Sequence, residues 1–258
     1  MNQQQHAMTL VLQPAPGKQP LNVPDLQLQL PSPLVLVVLA PHPDDFDAIG
    51  VTLRCFQQRG DIIHLAVLTT GASGVEDGFS GAYAAEEKAA LREAEQSASC
   101  AFFGLPPERL TFLRLPPDEK GNPRLDAANQ ACIRDYLSAR QPDLVFMPHG
   151  NDSNVTHQHT YALFRAAALA DNLQLWAVLN QDAKTLAMRT DLYMPFDADA
   201  ARWKAEMLRL HQSQHQRNLH TRGQGFDERV LAVNRHTGLT LGCAYAEVFE
   251  LERYGSGD

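Results

Sequence analysis

The sequence is poor in cysteine and has no paired cysteine motif. Its 258 residues include four cysteines, which stand far apart, and none belongs to a Cys-x-x-Cys pair. This spacing argues against a zinc knuckle and against a disulfide framework, so we expect reduced core cysteines in a cytoplasmic protein. The N-terminus lacks both a basic region and a continuous apolar region, so we expect no signal peptide. No apolar stretch reaches the length of about 20 residues that a membrane span needs.

Positive charge is also in short supply. Lysine and arginine number 22 against 30 aspartates and glutamates, which gives a formal net charge of -8. An acidic balance argues against a nucleic-acid partner and against attraction to anionic lipid, although a local basic patch is compatible with it. We therefore expect a small neutral or cationic ligand. The sequence is compatible with a homo-oligomer but does not predict one.

What the sequence does contain is an apolar run that leads directly into a polar cluster. The run Leu34–Ala40 has no alternation, which predicts a strand buried on both faces of a parallel sheet. His42, Asp44 and Asp45 follow at the carboxyl end of this strand, where open α/β sheets bind ligands. One aspartate could cap the next helix. Capping does not account for both aspartates and the histidine, whereas a divalent metal does.

The alternation of strands and helices predicts one α/β domain with a Rossmann-like, mostly parallel sheet and helices on both faces. We expect an irregular arm or edge addition over residues 1–33, with a candidate strand MTLVL, and the domain over residues 34–258. Predicted strands after the first lie near residues 62–70, 110–115, 143–148, 174–180, 187–196 (expected at an edge) and 245–251. Predicted helices lie near residues 47–59, 84–103, 126–140, 154–170, 198–214 and 227–234.

A second polar cluster follows the strand DLVFMP and repeats the pattern of the first. Asn154 or Thr156 can cap the next helix, which places His157 and His159 in its first turn. Helical positions two apart face different directions, so only one of these histidines should reach a shared metal. After another strand, glycines beginning with Gly71 allow close backbone approach to a ligand.

The predicted helix over residues 84–103 has an apolar stripe formed by Leu91, Ala94, Ala98 and Phe102. This spacing predicts that the stripe faces the core. Arg92 and Glu95 lie three positions apart on the same helix. The simplest interpretation of the pair is a surface ion pair.

These motifs resemble the PIG-L/LmbE-like zinc-dependent N-acetylglucosaminyl deacetylases from about residue 34 onward. The most specific element is His42-Pro43-Asp44-Asp45 with a downstream histidine. The other matching elements are Thr70-Gly71 with Gly74, Arg92 with Glu95, the segment 151–157, Lys204, the segment 211–214 and Tyr245-Ala246-Glu247.

The resemblance implies a role for each matched position. Zn²⁺ would be held by His42, Asp45 and His157, with Asp44 as general base and Arg92 facing the substrate. We further expect Gly71 and Asp152 to bind substrate, and Asn154 or His149 to stabilise the oxyanion. Two positions depart from the family pattern, because Phe46 and Thr156 stand where acids are common.

The implied chemistry is hydrolysis of an amide. Three protein ligands leave a fourth position for water, as in catalytic zinc sites, and zinc lowers the pKa of that water to about 7. Asp44 could then accept its proton while an acetyl group leaves an N-acetylated amino sugar or a related small amide. Two alternatives stay open at this stage. Two histidines and a carboxylate also form the site of Fe(II) oxygenases, although these ordinarily lie in antiparallel barrels. A non-catalytic sugar- or nucleotide-binding module would retain the fold, although the presence of Asp44 argues against it.

Overall fold

The described strands form a single mixed sheet. The structure is a computed structural model that describes residues 19–27 and 29–255. Its strands are β1 (Leu21–Asn22), β2 (Val35–Ala40), β3 (Ile62–Val67), β4 (Leu110–Phe112), β5 (Leu144–Pro148), β6 (Leu175–Asn180), β7 (Leu192–Phe196) and β8 (Tyr245–Tyr254). They lie in the order β1-β7-β8-β6-β5-β2-β3-β4. Only β8 runs antiparallel to its neighbours among these strands, so the predicted α/β class with a mostly parallel sheet is confirmed.

Helices cover both faces of this sheet. They are α1 (Val23–Gln27), α2 (Gly50–Gln58), α3 (Ala85–Phe103), α4 (Ala127–Arg140), α5 (Val155–Ala170), α6 (Ala198–Arg209), α7 (Gln212–Arg222) and α8 (Phe226–Thr240). A hydrophobic core lies on each face of the sheet, and alternate residues of β2 point into the two cores. Leu36 and Val38 belong to the core beneath α2, α3 and α6, and Val37 belongs to the core beneath α4 and α5. In the described ranges, no helix combines the length and the apolar character needed to cross a bilayer.

The order in which successive strands are added to the sheet reverses beside β2. The chain passes from β2 to β3 and β4 on one side and then returns to β5, which pairs with the other side of β2. Such a reversal opens a crevice at the carboxyl ends of the two central strands. His42 follows β2 and His157 follows β5, so both approach this crevice.

The N-terminal segment extends the sheet where the structure describes it. Leu21 and Asn22 pair with β7, and Val23 and Leu26 are buried. This part of the predicted arm is therefore an edge addition, and β7, expected at an edge, is covered by β1. The candidate strand MTLVL lies outside the described residues, and the domain boundaries stay a prediction.

The helix expected over residues 198–214 is two helices. His211 interrupts it with non-helical backbone angles of φ -81 and ψ 64. The His211 ring is buried, with Nε2 3.1 Å from Oδ2 of Asp47. The chain therefore bends where the His211 imidazole pairs with a buried carboxylate. Helical periodicity in the sequence does not predict this contact.

A buried lysine joins the C-terminal elements to the start of α2. Lys204 Nζ donates to Ala48 O at 2.6 Å, to Asn234 Oδ1 at 2.8 Å and to Glu247 Oε1 at 2.7 Å. Glu247 also accepts a hydrogen bond from the backbone N–H of Thr52 at 2.8 Å. The C-terminal motif residues Lys204 and Glu247 therefore hold α6, α8 and β8 against the segment behind the crevice.

Lys204→Met is expected to lower the free energy of unfolding by about 3–5 kcal/mol, because it leaves Glu247 buried without its counter-charge. Urea denaturation followed by circular dichroism measures the change. Lys120→Met is the matched control, since Lys120 is exposed, and a change within about 0.5 kcal/mol is expected there. Equal effects of the two substitutions would contradict the role given to Lys204.

Candidate metal centre and substrate pocket

The turn after β2 folds back on itself through Asp45. The His42 backbone N–H donates to Asp45 Oδ2 at 2.8 Å, and His42 Nδ1 lies 3.2 Å from the same oxygen. The short 3-10 helix that follows, Asp47–Ile49, has no side-chain cap at Phe46. Capping by Asp44 or Asp45 is therefore not found, and the Asp45 carboxylate turns toward the two histidines of the crevice.

The N-terminal turn of α5 brings His157 to the same point. Asn154 caps this helix, because its Oδ1 accepts from the Thr156 backbone N–H at 3.1 Å. His157 Nε2 lies 3.5 Å from Asp45 Oδ1. His159 faces elsewhere, with Nδ1 2.8 Å from Pro123 O. The structure thus brings one histidine of this pair, and not both, to the crevice, as the helical spacing predicts.

The donor atoms of His42, Asp45 and His157 could share one metal ion. All three lie within 4.8 Å of one another. Two imidazoles and one carboxylate are donors that suit zinc and similar transition metals. Asp182, which the sequence analysis did not single out, forms a second such group with Asp152 and His157. No motif precedes Asp182, because it reaches the site only through the position of β6.

Asp152 lies behind His157 and supports it. The Asp152 Oδ2 atom is 3.3 Å from His157 Nδ1, and this carboxylate is buried. A carboxylate on one imidazole nitrogen orients the other nitrogen toward a metal. Asp152 does not line the pocket in the described residues, so the structure gives no support to its expected contact with substrate. The sequence signal that could have predicted this contact is the short separation of Asp152 and His157, which lie just before and just after the start of α5.

His149 also lies away from the position expected for it. Its Nε2 is 3.3 Å from Glu250 Oε2, and its Nδ1 accepts from the Asn151 backbone N–H at 2.9 Å. Both ring nitrogens are therefore engaged outside the crevice. Within the described residues, Asn154 lines the pocket and His149 does not, so the structure gives no support to the expected oxyanion role of His149.

The charges at the centre favour a bound cation. Burial opposes ionisation of Asp45, but the charge and hydrogen bond of His157 and the contact with His42 outweigh it and hold the pKa of Asp45 below its ordinary value. Burial alone would lower the pKa of His157, but Asp45 and Asp152 raise it to about 10. The two carboxylates therefore favour either a proton on His157 or a metal ion at its Nε2, so these residues fit a divalent metal.

Asp44 stands beside these donors in a strained backbone conformation. Its φ is 126°, a region that residues other than glycine occupy at a cost of about 1–3 kcal/mol. Arg92 Nη2 donates to Asp44 Oδ2 at 3.0 Å, and the Asp44 backbone N–H donates to Gln96 Oε1 at 2.9 Å. Burial and the neighbouring Asp45 raise the pKa of Asp44, while Arg92 opposes the shift.

Most of the buried residues of α3 are polar, which overturns the expected apolar stripe. Phe102 is 41% exposed, whereas Arg92 is 2% exposed. Glu95 is also buried and accepts from the Ser213 backbone N–H and from Ser213 Oγ, both at 2.7 Å. Arg92 Nη1 lies 3.7 Å from Glu95 Oε2, so the predicted ion pair is present, but it is buried and the predicted surface position is wrong. This face of α3 is turned inward because its polar groups satisfy the turn after β2 and the start of α7.

Phe46, which stands where the family often has an acid, is a residue of the hydrophobic core. The Phe46 ring is buried and packs edge-on against Phe103, with centroids 5.0 Å apart. The next residue, Asp47, is a buried acid that accepts from Gln96 Nε2 at 3.2 Å and from Ser99 Oγ. An acid is therefore present one position later, where it holds α3 to the turn.

A cavity of about 390 Å³ opens over the candidate metal centre. This volume lies in the range of small-molecule sites. Gly71 forms part of one wall with a φ of 62°, and a Cβ placed there would lie 3.0 Å from Pro43 Cδ and 3.2 Å from Arg92 Nε. Further lining residues come from the segment after β6 and from α7 and α8, which sequence motifs did not assign to the site.

The family model for GlcNAc-PI de-N-acetylase, PIG-L, matches residues 37–168, just over half of the sequence. This range includes His42, Asp44, Asp45 and His157. The chain belongs to this family. Family membership supports N-deacetylase activity for this PIG-L member. No match was found among curated proteins.

Solved structures share the fold at low sequence identity. N,N'-diacetylchitobiose deacetylase from Pyrococcus horikoshii is 19% identical, with a TM-score of 0.68 over 86% of this chain and 85% of that one. The zinc-inhibited form of teicoplanin deacetylase is 17% identical, with a TM-score of 0.63 over 87% and 99% of the two chains. A 4-carboxy-2-hydroxymuconate hydratase from Pseudomonas putida KT2440 is 15% identical, with a TM-score of 0.69 over 87% and 98%. The hydratase illustrates that this fold alone does not determine a reaction.

His157→Ala is expected to lose most of its bound zinc while staying folded, because it removes one of three protein donors. His159→Ala is the matched control on the same helical turn and should retain the metal. Elemental analysis after zinc loading and gel filtration gives the occupancy. Full occupancy in His157→Ala would move the ligand role to another residue.

Gly71→Ala is expected to reduce the free energy of unfolding by more than Gly81→Ala does. Both glycines have positive φ, so both substitutions carry a conformational cost of about 1–2 kcal/mol. Only Gly71 has neighbours that a Cβ would meet, since nothing lies within 4 Å of that position at Gly81. Thermal unfolding of the two variants compares them, and equal losses would show that the contact with Arg92 is easily relieved.

Proposed function

We propose that this PIG-L protein is a zinc-dependent N-deacetylase that removes the acetyl group from an N-acetylated amino sugar or a related small amide. The observation that carries the proposal is the convergence of His42, Asp45 and His157 at one end of a pocket, with Asp44 beside them. The family match supports deacetylation. The deacetylase named for N,N'-diacetylchitobiose supports an amino-sugar substrate.

His42, Asp45 and His157 would hold the metal, and Asp152 would orient the imidazole of His157. A divalent metal at this position supplies Lewis-acid activation of water and polarisation of the amide carbonyl. The zinc-inhibited form of teicoplanin deacetylase supports metal binding by a protein of this fold, and two imidazoles with one carboxylate are donors that suit zinc.

Asp44 is proposed as the general base. It lies outside the three-donor group, and its hydrogen bond from Arg92 Nη2 holds one carboxylate oxygen in a fixed direction. Because burial raises the pKa of Asp44, the carboxylate is a better proton acceptor than an exposed aspartate. Asp44 would take a proton from the attacking water and return it to the leaving amine.

Asn154 and Arg92 are proposed to contact the substrate. The Asn154 Oδ1 atom is used to cap α5, which leaves its amide Nδ2 to donate to the oxyanion of the tetrahedral intermediate. Arg92 also lines the pocket, and its buried Nε has no hydrogen-bond partner in the described part of the chain. A substrate carbonyl or hydroxyl oxygen would satisfy it. Gly71 allows this approach because it has no side chain.

The two alternatives have less support. Fe(II) sites with two histidines and a carboxylate ordinarily occupy antiparallel barrels, whereas this sheet is mainly parallel. A purely binding module has no use for a strained, buried aspartate beside a metal centre.

We also propose a cytoplasmic location, which the free thiols of Cys55, Cys100, Cys132 and Cys243 support.

Asp44→Asn should keep its zinc and lose turnover by about 10²–10⁴-fold, because an amide cannot accept the proton. Asp45→Asn should instead weaken zinc binding, since it replaces an anionic donor with a neutral one. Zinc content and acetate release from N-acetylated amino sugars are measured for both variants and for the wild type.

The paired variants also separate the alternatives. Loss of zinc from Asp44→Asn with retention by Asp45→Asn would reverse the two roles. An undiminished rate in Asp44→Asn would assign the base elsewhere. Zinc binding by a wild type that releases no acetate from any N-acetylated substrate would favour the binding module.

A further inference from the structure

One wall of the pocket concentrates positive charge in an otherwise acidic protein. Lys184, Arg217, Arg222 and Arg229 all line the same cavity as the candidate metal centre. They come from the segment after β6, from α7 and from the start of α8. We call these four residues the basic wall.

The acids that line the same cavity, Asp44, Asp45 and Asp182, do not pair with the basic wall in the described part of the chain. Among the described residues, no carboxylate forms an ion pair with any of its four side chains, although Arg59, Arg114 and Arg189 each have one. Asp182 lies two residues before Lys184, but its carboxylate accepts from the Lys184 backbone N–H at 2.9 Å and is grouped with His157, not with the Lys184 side chain. Unpaired guanidinium groups that converge on a cavity attract an anion.

The geometry of α7 directs this charge into the pocket. Gln214, Arg217, Asn218, Thr221 and Arg222 line the cavity at helical spacing, so one face of α7 forms the wall. The helix is held in place because Gln214 Nε2 donates to Gly74 O at 2.9 Å. The Arg217 guanidinium lies over the same loop, 3.4 Å from the position of a Cβ on Gly74.

A buried acceptor stands beside the cations. Asn218 is 6% exposed and donates through Nδ2 to Gln214 O at 2.8 Å. Its Oδ1 atom is buried and has no hydrogen-bond partner in the part of the chain that the structure describes. Buried polar atoms are normally satisfied, so this oxygen points to a donor supplied by a ligand, such as a hydroxyl group.

We propose that the substrate carries an oxyanion, a phosphate or a carboxylate, on the part of the molecule remote from the acetamide, and that the basic wall binds it. Guanidinium groups pair with both anions through parallel hydrogen bonds, and Asn218 Oδ1 would accept from a sugar hydroxyl between the two ends. This inference rests on the proposed deacetylase function for the identity of the reacting group. It also replaces the neutral or cationic ligand expected from the net charge.

Binding of inorganic phosphate tests the wall without any turnover. Isothermal titration of the zinc-loaded protein compares the wild type with Arg217→Ala, Arg222→Ala and Arg229→Ala. Each substitution is expected to weaken binding by about 10-fold, and added salt should weaken binding to the wild type because the wall is partly exposed. Arg235→Ala is the matched control, since Arg235 is exposed on α8 and does not line the cavity. Phosphate affinity that none of the three wall substitutions reduces would overturn the inference.

Hydrolysis then distinguishes the two kinds of anion. Acetate release is measured with N-acetylglucosamine, N-acetylglucosamine 1-phosphate and N-acetylmuramic acid, which carry no charge, a phosphate and a carboxylate. We expect kcat/KM at least about 10-fold higher for one of the anionic substrates than for the neutral one. The arginine substitutions should reduce this preference, and Arg235→Ala should not.

The outcomes separate this inference from the proposed function. If all three sugars are hydrolysed with equal kcat/KM, the inference fails and the deacetylase assignment stands. If none is hydrolysed while phosphate binding depends on the three arginines, the anion site stands and the proposed reaction fails.

Discussion

The acidic turn at residues 44–47 places three carboxylates in a space that is largely closed to water. A buried carboxylate without a partner costs several kcal/mol, so each one requires a donor or a cation. The partners come from widely separated parts of the chain: Arg92 from α3, His157 from α5 and His211 from the start of α7. The position of these helices around the crevice therefore follows from the charge of one turn.

Features that depend on neighbouring residues were predictable. The apolar runs of β2 and β5 identified central parallel strands because both of their faces are buried. Asn154 caps α5 as expected, since a cap involves only the next few residues. The meeting of His42 and His157 followed from the same logic, because the carboxyl ends of adjacent parallel strands lie together.

Features that depend on distant partners were not predictable from local pattern. Periodicity assigned an apolar inner face to α3, but Arg92 and Glu95 turn inward because their partners lie in other elements. The break before α7 depends in the same way on the pairing of His211 with Asp47. Net charge carries little information about the pocket for a related reason, since it sums over the whole surface, whereas a ligand experiences the field inside one cavity.

The two kinds of pocket residue occupy different stretches of the chain. The candidate metal donors fall within residues 37–168, which the family model covers, whereas the basic wall begins at Lys184. Substitutions in α7 and α8 can therefore change the charge presented to a substrate without touching the groups proposed to perform hydrolysis. This arrangement permits divergent evolution, in which a lineage retains its reaction and acquires a new substrate by altering its C-terminal helices.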